Sequence, residues 1–136
     1  MGAETKRLLS ELAVARQETL ALLEGLADDQ LDARNERGRS VRGFLQGMVD
    51  HDLEHVQHLI RARRGAGSRR TEVHRMIAEL EAARGELLGT LAALDDEALD
   101  KDWEEGEWPI RKILEHLIET ERNYIGRGVG GIIKGG

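Results

Sequence analysis

The chain has 136 residues, enough for one domain with a single core, and its 40% apolar content is ordinary for a globular protein. A formal charge of -6 argues against nucleic acid as a partner, because phosphate binding needs a cationic surface. There is no cysteine, which excludes disulfides, thiolate metal sites and a catalytic thiol of the chain's own. No apolar run approaches the roughly 20 residues that span a bilayer, and the first residues lack the apolar stretch of a signal peptide, so a cytoplasmic protein without membrane contact is expected.

Leu and Ala dominate the apolar residues, and a single proline and few β-branched residues favour helix over sheet. The first helix is expected from about Ala3 to Gly25, on the spacing of Leu8, Leu9, Leu12, Ala15, Leu20 and Leu23. Asp28 stands where a short turn would be capped. A second helix is expected to start at Ser40, a good N-cap, and to fade in the Arg/Gly segment 61–67. The arginines there, Arg61, Arg63, Arg64, Arg69 and Arg70, surround Gly65 and Gly67 and read as a solvated turn. A third helix follows Ser68 and ends near Ala93. The fourth begins at Pro109, whose missing N–H costs nothing in a first helical turn, and ends near Gly126. The glycine-rich tail, residues 128–136, is expected to be flexible.

These elements repeat. Residues 8–32 lie over residues 76–100 with eleven of 25 positions identical, Arg16/Arg84, Asp28/Asp96 and Asp32/Asp100 among them. After one inserted residue, residues 40–56 lie over 109–125, matching Val41/Ile110, Arg42/Arg111, Leu45/Leu114 and Asp52/Glu121. Two similar segments in the same order imply an internal duplication, one copy spanning about 5–66 and the other about 68–127. A lone helix pair cannot cover its apolar face. The expectation is an all-α four-helix bundle of two pseudo-symmetric hairpins, forming one domain over residues 1–127.

Projected at 100° per residue, the second helix places Val41, Phe44, Leu45, Met48, Val56 and Leu59 on one apolar face, with Asp52 near its middle. Glu121 falls at the matching place on the fourth helix. An unpartnered buried carboxylate is costly, so both need partners. They could orient histidines, or pair with Arg16 and Arg84. Arg42 and Arg111 are expected to pair with carboxylates near the helix starts. His51 and His55 stand four residues apart, a spacing that aims two imidazoles at one point. Two border histidines bonded to Asp52 or Glu54 would show the same spacing. His58 extends the stripe by a turn, and His74 reads as a surface residue. Trp108 reads mainly as a packing cap at the bundle end, and Trp103 as a residue of an acidic loop.

The run GEWPIRKILEHLIETE, residues 106–121, puts His116 eight residues after Trp108 in a proline-started helix. With HDLEHVQ at residues 51–57, it resembles the DinB/YfiT-like family of small metal-binding four-helix bundles, over roughly residues 5–126. The resemblance implies a divalent metal, zinc or nickel, held by His51, His55 and His116, with Asp52, Glu121 and His58 as residues that could support those ligands. It further implies a small-molecule substrate and, as in some members, a metal-dependent S-transferase using a low-molecular-weight thiol, or a hydrolase. A non-catalytic metal-binding stress protein and a helical interaction domain are the alternatives, and a homodimer is a further expectation. The halves stand in swapped order relative to familiar members. In the first copy Arg39 replaces the expected Trp and Gly47 stands where the second has His116; in the second, Thr120 and Tyr124 replace His51 and His55. Each copy holds part of the triad, and together they supply one set.

Overall fold

In the computed structural model, which describes residues 1–135, the chain is all-helical; among these residues the only β-type pairing is an isolated bridge between Arg34 and Ser40. The elements are α1 (Ala3–Leu23), a 3-10 turn (Asp28–Asp32), α2 (Val41–Gly65), α3 (Glu72–Thr90), a second 3-10 turn (Asp96–Ala98), α4 (Ile110–Thr120), a π-helical segment (Glu121–Val129) and α5 (Gly130–Gly135). They form two compact units, Met1–Ala82 and Ala83–Gly136. None of the described helices is long and apolar enough to cross a membrane.

In the first unit, α2 starts where the sequence places it. The Ser40 hydroxyl oxygen accepts from the Gly43 N–H at 3.0 Å, satisfying one of the orphan donors of the first turn. At the other end Gly67, with φ at +72°, turns the chain; Arg61, Arg64, Arg69 and Arg70 are exposed as expected, while Arg63 is half-buried and reaches the Ser68 hydroxyl at 3.4 Å. The first 3-10 turn is closed by the Gln30 side chain, which accepts from the Ala27 N–H at 2.9 Å. In the second unit Asp95 does the equivalent work, its carboxylate accepting from the Ala98 N–H at 3.0 Å. Asp28 and Asp96 are therefore the first residues of their turns, one position after the caps.

Two cross-helix ties recur. Arg42 reaches Asp32 at 3.3 Å in the first unit, and Arg111 grips both oxygens of Asp100, at 2.7 and 2.9 Å, in the second. Arg16 of α1 binds Asp52 of α2 at 2.8 Å, and Arg84 of α3 binds Glu121. The choice left open for Asp52 and Glu121 thus falls to the arginines. Among the described residues none is fully buried. Half-buried apolar residues stand near the 3-10 turns, among them Leu23, Leu26, Leu31, Val41 and Leu45 in the first unit and Leu87, Leu91, Leu99, Ile110 and Leu114 in the second.

The helix after Pro109 does not stop near Gly126. It runs on as π turns through Val129 and then as α5. Glycine ends a helix cheaply by taking positive φ, and here only Gly38, Gly67 and Gly106 among the described glycines do so. Gly126, Gly128 and Gly130 stay on the negative side, so the segment expected to be flexible is helical as far as Gly135. Gly136 lies outside the described residues.

Two outcomes follow. Ser40→Ala should destabilise the protein by about 1 kcal/mol in urea unfolding, as loss of an N-cap does. The Arg111 guanidinium holds the Asp100 carboxyl below its ordinary value, chiefly by hydrogen bonding. A group whose folded pKa is depressed contributes stability above its unfolded pKa and loses it as pH falls through the folded value. An NMR titration of the Asp100 carboxyl should give a midpoint below 3.8, returning upward in Arg111→Ala.

Candidate metal centre

The histidines of the first unit form a chain along α2. The Nε2 atoms of His51 and His55 lie 3.1 Å apart, and the Nδ1 atom of His55 lies 3.2 Å from Nδ1 of His58. The His51 and His55 rings meet edge to face with centroids 4.4 Å apart. The i, i+4 spacing produces this approach, because side chains four apart on a helix stand one above the other.

The spacing of the two Nε2 atoms can be compared with what a metal needs. Two imidazole nitrogens at about 2.0–2.1 Å from a tetrahedral zinc stand about 3.3 Å apart. The 3.1 Å separation fits two ligands of one ion. His55 presents its other nitrogen to His58, and a ligating imidazole commonly uses that second nitrogen for an orienting hydrogen bond. Of the three supporting residues expected, only His58 touches a histidine of the pair. Asp52 and Glu121 are committed to Arg16 and Arg84. His55 turns its two nitrogens to opposite neighbours, so the three imidazoles do not converge. Among the described residues no group of three or more His, Asp or Glu side chains does.

His116 is built into the second unit by its aromatic neighbour. The Trp108 ring meets it edge to face at 5.2 Å, and Lys112 Nζ lies 4.5 Å from the centroid of the same Trp ring. The Trp103 indole N–H donates to the Trp108 carbonyl at 2.9 Å and so fastens the loop before α4. His116 Nε2 faces the Thr120 hydroxyl at 3.5 Å. With Glu119, Thr120, Asn123 and Tyr124 it lines an open cavity of about 480 Å³. Glu119 and Asn123 were not singled out by the sequence reading, although they stand three and seven residues after His116, on its side of the helix. His74 is a local capping partner, its Nδ1 accepting from the Thr71 N–H at 3.4 Å.

Positions 47, 51 and 55 of α2 correspond to 116, 120 and 124. The first stripe reads Gly, His, His and the second His, Thr, Tyr. Where Trp108 packs on His116, Arg39 lies on Gly47: a Cβ built on Gly47 would stand 2.5 Å from an Arg39 Nη atom.

Comparison with known proteins gives a family match and a curated relative. Residues 79–134 match the sequence model of the DinB superfamily. Over 56 residues, 41% of this chain, the chain is 30% identical to an Oceanobacillus iheyensis protein named "Putative metal-dependent hydrolase". The matched stretch is 32% of that relative, so the chain spans about a third of its length. No solved structure matches the chain.

Proposed function

From the DinB-like character of residues 79–134, we propose that this chain is a cytoplasmic metal-dependent hydrolase of small molecules. His51, His55 and His116 hold one divalent first-row ion, zinc or nickel. The observation that carries the reading is the 3.1 Å approach of the His51 and His55 Nε2 atoms, which suits two ligands of one ion. The complementarity of the two stripes supports the third ligand, since the second copy supplies a histidine where the first has Gly47. The same reading makes the fold a four-helix bundle of two duplicated hairpins. The recurring ties Arg16–Asp52 and Arg84–Glu121, and Arg42–Asp32 and Arg111–Asp100, support it.

When bound, a divalent ion with three imidazole ligands supplies Lewis acidity at an open position. The chain's own residues prepare the ligands. With the His55 proton on Nδ1, that nitrogen donates to His58 Nδ1, 3.2 Å away, and the His55 Nε2 lone pair is left for the ion. Arg16 keeps Asp52 occupied, so the carboxylate does not compete for the imidazoles. Trp108 fixes the ring plane of His116. The name of the Oceanobacillus relative favours hydrolysis. Thiol S-transfer is the second reading of the same site; with no cysteine in the chain, it requires a low-molecular-weight thiol as co-substrate.

Tag-free protein analysed by mass spectrometry should carry about one zinc or nickel ion per chain, lost in His55→Ala and in His116→Ala. Protein that takes up neither metal, even after incubation with both ions, would overturn the reading. Turnover of ester or amide substrates without added thiol separates hydrolysis from S-transfer. His58→Ala should keep the metal site but weaken zinc affinity by roughly tenfold or more in a chelator competition.

A further inference from the structure

We infer that Arg39, laid across Gly47 beside the His51–His55 pair, is an anion subsite that binds a carboxylate or phosphate group of the substrate. The inference rests on the proposed site for the substrate's position, but Arg39's own placement is independent of it. The loop before α2 holds this residue firmly. The Asn35 side-chain oxygen accepts from the Arg37 and Arg39 N–H groups, both at 3.0 Å, and the Asn35 N–H donates to the Arg39 carbonyl at 3.0 Å. Gly38, at φ +79°, closes the turn with its N–H on the Asn35 carbonyl at 2.9 Å.

Two glycines let the side chain lie along the helix. A Cβ built on Gly43 would stand 3.7 Å from Arg39 Cγ, and one on Gly47 only 2.5 Å from its Nη atom. The guanidinium carbon lies 4.4 Å from the Phe44 ring centroid, and an Nη–H donates to the Gly43 carbonyl at 3.3 Å. Arg7, Arg16, Arg42, Arg84 and Arg111 each have a carboxylate within 4.0 Å. Arg39 has none among the described residues, as is true of several exposed arginines, but its guanidinium is laid against α2 and the Phe44 ring. It is a positioned cation with most of its donors uncommitted, and a guanidinium fork matches carboxylate and phosphate geometry.

Its position ties it to the histidines. Gly47 precedes His51 by one helical turn, a separation of about 5–6 Å between Cβ positions, and helical side chains lean toward the N-terminus. The histidine pair therefore begins one helical turn beyond the glycine on which the guanidinium lies. In the second unit the corresponding place holds Trp108 against His116, so the cation is a feature of the first unit. A substrate reacting at the histidine pair with an acidic group about one helical turn away would meet both.

The test uses the full chain, with and without zinc, and two probes, inorganic phosphate and acetate, followed by NMR at the Arg39 Nε–H and the His51 ring. Saturable shifts at both positions are expected, with the tighter probe naming the group. Affinity should fall about tenfold or more in Arg39→Gln and partly recover in Arg39→Lys. Gly47→Ala should weaken binding as well, by displacing the guanidinium, although alanine favours the helix. Metal content, measured on the same samples, should match the unsubstituted protein. Unchanged affinity for both anions in Arg39→Gln would overturn the subsite, whatever the metal content. Arg39-dependent anion binding without any metal would sink the metal reading alone.

Discussion

A guanidinium on the first helix of each pair, joined to a carboxylate on the second, is the constraint from which the candidate site follows. Arg16 holds Asp52 and Arg84 holds Glu121, all four side chains about half exposed. Exposed pairs of this kind contribute only about 0–1 kcal/mol each, so their importance is directional. The tie turns the Asp52 side of α2 toward Arg16 of α1. At 100° per residue, His51 and His55 then lie about 60–100° to one side of the tied carboxylate. The histidine pair stands to one side of the carboxylate that Arg16 holds.

The residue at the start of each second helix governs what stands eight positions later. In the second unit, the Trp108 ring packs against an imidazole and fixes it. In the first, Arg39 occupies the corresponding place and lies over Gly47, where a Cβ would displace the end of the arginine side chain. A histidine at position 47 could not coexist with Arg39 in its present place.

Much of this was legible in the sequence because it depends on local chemistry. Ser40 caps α2 as its side chain and position require, and Arg42 and Arg111 find carboxylates near the helix starts as expected. The partner of Asp52 was not legible. Its place on the helix face allowed either a histidine or Arg16, and the choice depends on how α1 and α2 are turned toward each other. The contact between His55 and His58 depends on ring rotamers, which spacing does not specify. The continuation past Gly126 was misread for a different reason. Glycine permits the left-handed exit from a helix without compelling it, and a nine-residue π segment has no simple compositional signature.

The central claim is that His51, His55 and His116 ligate one ion, and X-ray absorption on the zinc-loaded chain tests it most directly. Multiple scattering from imidazole rings counts histidine ligands and gives their distances. The account predicts three imidazole nitrogens at about 2.0–2.1 Å, falling to two in His116→Ala. A spectrum fitted by two imidazoles or fewer in the unsubstituted protein, unchanged by His116→Ala, would contradict it.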